Sequence, residues 1–149
     1  MGSGLASPVA VRALPWVVAV GTLVSLAPFI SLVEVGAAHA PVFLLLMFAS
    51  VQSRRNFRRG LGTPAVRIAR LYGASIGASG LMVLLHWSIL TDRSSTAAIA
   101  YFWTPWLVPF GALAGALFAW SVAAANAWLG RRFPAGTPED APRFGEPRR

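Results

Sequence analysis

Two histidines are the residues of this chain whose side chains could ligate a haem iron. His39 stands at the start of the second apolar stretch and His86 about one turn inside the end of the third, so both belong to the same side of a helical bundle. Facing imidazoles on two helices can ligate haem. A bis-histidine haem subunit is therefore one hypothesis, and solvation of each histidine near lipid headgroups is the simpler one.

A polar path across a membrane is the second chemistry that the residues could support. Glu34 is the one acidic residue that could lie within the boundary of an apolar stretch, and intramembrane carboxylates carry protons or cations. Ser75, Ser79 and His86 follow one another along the third stretch. Together these four residues predict a small oligomeric channel or transporter. Because Glu34 falls at the end of the first stretch, an interfacial anchor or an ion pair with Arg93 is the simpler interpretation.

Other site chemistry finds no support in the sequence. The chain has no cysteine, so it offers no thiolate ligand and no thiol nucleophile. It has no nucleophile beside a base and no carboxylate pair, and Gly60-Leu61-Gly62 lacks the strand-to-helix context of a phosphate loop. We therefore expect no enzymatic activity, no metal site and no cofactor.

Small residues recur four positions apart on the third and fourth apolar stretches. Residues with this spacing share one helix face and let another backbone approach closely. The expected packing residues are Gly73, Gly77, Gly80, Gly111 and Gly115. This pattern predicts that the third stretch packs on the fourth, with a homo-oligomer or partner-subunit interface as the alternative.

All thirteen basic residues are arginine, and most lie just beyond the ends of apolar stretches. The net charge of +8 could indicate nucleic acid binding. The position of the arginines favours a membrane instead, so we expect no nucleic acid partner. Between the second and third stretches, we expect contacts with anionic lipid or an acidic partner from Arg54, Arg55, Arg58 and Arg59.

Four apolar stretches must position these side chains. Of the 149 residues, 56% are hydrophobic and only 12% are charged, too few charges to cover a soluble globule. The stretches predict an all-α integral membrane protein with four transmembrane helices, at about 13–33, 36–55, 67–91 and 97–130. Residues 1–132 form this domain, and we expect the first stretch to be retained rather than cleaved as a signal peptide.

The arginines also orient the chain, because positive charge stays in the cytoplasm. Arg12, the central arginines and the Arg131-Arg132 pair all fall on one side when the chain crosses four times. The termini and the central loop are therefore expected in the cytoplasm of a bacterium, with the helices in its inner membrane. The first two helices form a tight outer hairpin, with the turn expected at Glu34 to Pro41.

The fourth stretch is longer than a crossing requires. It carries Pro105 and Pro109, and we expect one long, Pro-kinked helix. The alternative is that residues 97–106 form a separate interfacial segment. Residues 133–149, rich in Pro, Gly and charge, are expected to be a disordered cytoplasmic tail.

Packing faces without reaction chemistry favour an interaction role. The leading hypothesis is an accessory or scaffolding subunit that works by helix–helix packing with a larger membrane complex. Its expected partners are membrane lipids and other membrane protein subunits, or further copies of itself.

Overall fold

The computed structural model describes residues 7–29, 33–62, 64–91 and 96–132, without the side chains of 29, 33–35 and 96–102. Within these ranges the regular structure is helical. The four long helices are α1 (Pro8–Leu26), α2 (Val33–Arg58), α3 (Ala65–Thr91) and α4 (Thr96–Arg132), and a short 3-10 turn, Ala27–Phe29, follows α1.

All four helices are long and apolar enough to cross a membrane. Their outward side chains are apolar as well: Trp106 is 67% exposed, Phe48 72% and Phe118 73%. Such surfaces are stable against lipid and not against water. The prediction of an all-α protein with four helices long and apolar enough to span a membrane is confirmed.

One buried cluster, here the four-helix cluster, draws on every helix. It consists of Phe43 from α2, Ala78 and Met82 from α3, and Val108 from α4, with Leu26 of α1 packed against it. These residues come from the end of α1, the first half of α2, the second half of α3 and the first half of α4. The helices therefore run alternately up and down.

A second buried cluster, the three-helix cluster, lies at the opposite end of the bundle. Val11, Leu14 and Val18 of α1 meet Ile68 of α3, and Phe57 of α2 packs against them. No described residue of α4 joins this cluster. The described arginines all lie near the helix termini on this side of the bundle, which we call the arginine end. These arginines are Arg12, Arg54, Arg55, Arg58, Arg59, Arg67, Arg70, Arg131 and Arg132.

Hydrogen bonds fix α1 at the arginine end. The Ser7 hydroxyl oxygen accepts from the Ala10 N–H at 3.2 Å and caps the helix, with Pro8 in the first position, where its missing N–H has no cost. The Tyr72 hydroxyl of α3 donates to the Ala10 carbonyl at 2.7 Å. A bond between two helices in an apolar setting ties α1 to α3 at this level.

The end of α2 is a Schellman motif. The N–H of Gly60 donates to the carbonyl of Phe57 and that of Leu61 to the carbonyl of Asn56, both at 3.1 Å. Gly60 has a φ of 70°, the left-handed conformation that glycine adopts without strain. The motif stops α2 sharply and leaves a short link before α3.

The link between α1 and α2 differs from the sequence-based expectation. We expected a turn over residues 34–41, but α2 begins at Val33 and includes Pro41, so that prediction is wrong. The α-helix stops at Leu26 instead, and Pro28, which has no N–H to donate, lies in the 3-10 turn that follows. Pro41 is tolerated because an apolar environment penalises a helix break, which would free many more backbone groups.

The fourth helix is continuous over 37 residues, about 55 Å, whereas α1 has 19 residues, about 28 Å. The segment 97–106 is therefore part of helix four and not a separate segment. Pro105 and Pro109 both lie inside the helix. The expected tail, 133–149, lies outside the described residues.

Candidate functional site

Four glycines bring the backbones of α3 and α4 into contact. A Cβ built on Gly77 would overlap the carbonyl oxygen of Gly111 and lie 3.0 Å from the Cα of Gly115. A Cβ on Gly73 would overlap the carbonyl of Gly115 and lie 2.6 Å from the Cβ of Ala119. Neither position has room for a side chain. We call these four glycines the glycine seam, and it lies within the most extensive helix contact of the bundle.

Gly80 lies outside the glycine seam. Nothing stands within 4 Å of a Cβ built there. Three residues beyond Gly77, it is turned by about 60° from the contact face. Of the five glycines singled out in the sequence, the structure thus brings four together.

An apolar groove, the seam groove, runs beside the glycine seam. Its volume is about 570 Å³. It is lined by Ala69, Tyr72, Gly73, Ile76, Gly77, Ala114, Gly115, Phe118, Ala119 and Val122. Small side chains and bare backbone form its floor, so a further helix or a lipid chain could come close to both α3 and α4.

Beyond the seam groove, α4 has few neighbours. Residues 124–132 are exposed on every side. The Arg70 guanidinium of α3 lies 5.9 Å from the centre of the Trp120 ring, a cation–π contact between the two helices. A second such contact, between Arg132 and Trp128 at 5.0 Å, stays within α4.

The arginines of α2 divide into two groups. Arg54 and Arg58, one turn apart, line a cavity of about 500 Å³ together with Phe57 and with Arg12 of α1. We call this cavity the basic pocket. The Nε atom of Arg54 is buried in it and has no hydrogen-bond partner among the described residues.

The other two arginines of the predicted contact group point elsewhere. Arg55 and Arg59 are exposed and do not line the basic pocket. A rotation of about 100° per residue turns Arg55 away from Arg54, and Arg59 lies in the turn that follows α2. The structure separates what the sequence presents as one run.

The serines of the expected polar path face α1. A Cβ on Gly21 would lie 2.8 Å from the Ser79 hydroxyl oxygen and 3.7 Å from that of Ser75. The Ser79 oxygen is buried without a hydrogen-bond partner in the described part of the chain. Met82, fully buried, follows on the same face of α3 and separates these serines from His86.

Both histidines lie beyond the four-helix cluster, on the side away from the arginine end. His39 is fully buried and His86 is half-buried. His39, His86 and the buried Thr104 each stand four residues from a member of that cluster, so they form a polar layer one turn beyond it. The side chain of Glu34 lies outside the described residues.

Two members of the basic pocket, Arg12 and Phe57, did not figure in the expected lipid contacts. The sequence could have indicated them, because an antiparallel pair of helices places the start of α1 beside the end of α2.

The chain matches no protein-family model, no curated protein and no solved structure. The function proposed below therefore rests on the geometry of the chain itself.

Proposed function

We propose that this protein is a small scaffolding or accessory subunit of a bacterial inner-membrane complex, without catalysis of its own. The observation that carries the proposal is the seam groove, an apolar surface formed where α3 packs on α4. The concentration of described arginines at one end supports a cytoplasmic position for that end.

A transmembrane helix of a partner protein is the occupant that fits the seam groove. Lipid tails are as apolar as leucine, so helices associate in a bilayer through close packing rather than through hydrophobicity. The alanines and glycines of the lining leave the groove open, and the exposed Phe118 offers a large side chain to a partner. A partner would thereby cover a face that the monomer leaves open.

Site-specific crosslinking tests this function. A photoreactive amino acid at Phe118 or Val122 should give one discrete protein adduct in the native membrane, identified by mass spectrometry. The matched control is Phe48 on α2, which is as exposed as Phe118 but lies far from the seam groove. We expect only lipid adducts at Phe48.

Two outcomes contradict the scaffolding function. One is a native protein that migrates only as a free monomer after gentle extraction, with no adduct from either groove position. The other is the same set of protein adducts from Phe118 and Phe48, because that result would indicate random collision in the membrane.

An oligomeric channel or transporter is the second candidate function. The buried Ser79 hydroxyl, without a hydrogen-bond partner among the described residues, is the observation that favours it, since such groups often mark polar pathways. Glu34, Ser75 and His86 would complete the path, with Met82 displaced. Flux into proteoliposomes that is the same for the wild type, Glu34→Gln and Ser79→Ala would eliminate this candidate.

A bis-histidine haem subunit is the third candidate. The common level of His39 and His86 in the bundle is the observation behind it. Protein purified from cells supplied with haem should then show a Soret absorption band that His39→Ala abolishes. A colourless preparation would dispose of this candidate.

A further inference from the structure

We propose that the face shared by α1 and α2 binds one anionic phospholipid, with its phosphate in the basic pocket and an acyl chain in an apolar groove between the same two helices. This inference is independent of the scaffolding function, because the seam groove is formed by the other two helices, α3 and α4.

The basic pocket has the charge and donors that a phosphate requires. Arg12 approaches from α1, and Arg54 and Arg58 approach from α2. Guanidinium groups bind phosphate oxygens in pairs of parallel hydrogen bonds. The Nε of Arg54, buried and without an acceptor among the described residues, is a donor left unsatisfied beside this pocket.

No carboxylate of the described residues competes for these guanidinium groups. The acidic residues are Glu34, Asp92, Glu139, Asp140 and Glu146. Glu34 belongs to the first turn of α2, at the far end from Arg54, and the other four are outside the described ranges. The antiparallel ends of α1 and α2 also offset each other's helix dipoles, so the arginines dominate the local charge.

A separate apolar groove, the hairpin groove, lies further along the same two helices. Its volume is about 380 Å³. It is lined by Ala19, Thr22, Leu23, Leu26, Ala40, Phe43, Leu44 and Met47. The lining is almost entirely apolar, which suits a hydrocarbon chain.

The basic pocket and the hairpin groove lie on the same faces of both helices. On α1, Ala19 follows Arg12 by seven residues, and on α2, Met47 precedes Arg54 by seven. Seven residues make two turns and return to the same face about 10 Å along the axis. Both helices therefore place the hairpin groove about 10 Å from the basic pocket, on the side away from the arginine end.

Between the two cavities, Pro15 of α1 and Ser50 of α2 are both buried on these faces. A chain leaving the basic pocket must cross this level to enter the hairpin groove. Phe57 forms the apolar wall of the basic pocket and also packs against the three-helix cluster. The pocket is therefore located where polar headgroups meet the hydrocarbon core.

These features select a lipid over a free phosphate. A soluble anion would use only the guanidinium groups, and it would gain nothing from the hairpin groove. A phospholipid uses both cavities at once, and its anionic headgroup is attracted by the positive charge of Arg12, Arg54 and Arg58. Zwitterionic headgroups carry their own cation and would be bound less tightly.

Native mass spectrometry of the full chain in a neutral detergent tests the proposal. The probes are phosphatidylglycerol and phosphatidylcholine with identical acyl chains. We expect the anionic lipid to bind at least about fivefold more tightly, the typical contribution of one arginine near an anionic surface. Arg54→Gln should remove most of this preference.

A matched control separates the pocket from general positive charge. Arg55→Gln removes the same charge from the adjacent, exposed position, and we expect binding within about twofold of the wild type. Because Arg54 is partly buried and its variant could fail to fold, Arg12→Gln at an exposed position serves as a second test. Circular dichroism verifies the helix content of each variant.

The hairpin groove has its own test. Ala40→Phe fills the groove, whereas Ala38→Phe, two residues away and exposed, adds the same bulk outside it. We expect weaker binding of phosphatidylglycerol only for Ala40→Phe. Inorganic phosphate at millimolar concentration should not displace the lipid.

Three results would overturn the proposal. Equal losses of lipid binding in Arg54→Gln and Arg55→Gln would mean that only net charge matters. Displacement of the lipid by millimolar inorganic phosphate would indicate that the pocket binds phosphate alone and that the acyl chain contributes nothing. Unchanged binding in both Ala40→Phe and Ala38→Phe would exclude the hairpin groove.

Discussion

The two ends of the bundle use the same helices in different ways. Around Phe43, Met82 and Val108, all four helices contribute to one buried cluster. At the arginine end, α1, α2 and α3 close around Leu14 and Ile68 without a described residue of α4. The fourth helix is thus an integral member of the bundle at one end and an attachment to α3 at the other.

The residue types of α4 explain this difference. Toward its start it offers Val108 to the core, and in the middle it offers Gly111 and Gly115 to the backbone of α3. Toward its end, residues 124–132 are exposed on every side and belong to neither buried cluster. The glycine seam is therefore the last tight contact before α4 leaves the bundle.

The largest effects should come from truncating the two buried clusters. Met82→Ala and Ile68→Ala each leave a cavity, and we expect each to lower the free energy of unfolding by about 3 kcal/mol. Only Met82→Ala should also speed hydrogen exchange in the first half of α4, because only Met82 contacts that helix. Equal exchange of α4 in both variants would refute the difference between the two ends.

A smaller effect is expected at the glycine seam. Gly77→Ala places a Cβ against the carbonyl of Gly111, and we expect a loss of about 2 kcal/mol in unfolding free energy. Gly80→Ala is the matched control on the same helix. With no neighbour within 4 Å, it should match or slightly exceed the wild type, by up to about 1 kcal/mol of helix propensity. Denaturation in mixed micelles measures both.

The smallest effect concerns the cation–π contacts of α4. Arg70→Gln removes the pair between Arg70 and Trp120, and we expect a loss below about 1 kcal/mol, since both groups are exposed. Arg132→Gln removes the pair within α4 and should leave the attachment of α4 unchanged. Hydrogen exchange near Trp120 distinguishes the two variants, because only the loss of the contact between α3 and α4 should speed it. An exchange rate in Arg70→Gln that equals or falls below that of the wild type would show that the contact does not hold α4.

The number of helices was predictable because bilayer thickness constrains span length. The placement of the first turn was not, since Gly36 and Pro41 are turn residues in water. Inside an apolar helix they carry no such meaning, and Pro41 continues α2 as Pro15 continues α1. Proline patterns therefore predict helix ends poorly where the alternative is exposed backbone in lipid.

The basic pocket was predictable only in part. The sequence groups Arg54, Arg55, Arg58 and Arg59, but the helical rotation that separates Arg54 from Arg55 requires an assigned helix through that segment. Arg12 is distant in sequence and joins the pocket only through the antiparallel packing of α1 and α2. Contacts between helices depend on how each helix is rotated about its axis. The spacing of apolar residues predicts this rotation poorly when nearly every residue of the helix is apolar.

Unequal helix length gives the protein two different edges toward the bilayer. The 19 residues of α1 roughly equal the thickness of a hydrocarbon core, while the 37 residues of α4 far exceed it. Surrounding lipids can match the length of α1 without deformation, whereas α4 must tilt or extend into the aqueous phase. A thicker membrane would strain the first edge and relieve the second, so membrane thickness itself sets how upright α4 stands.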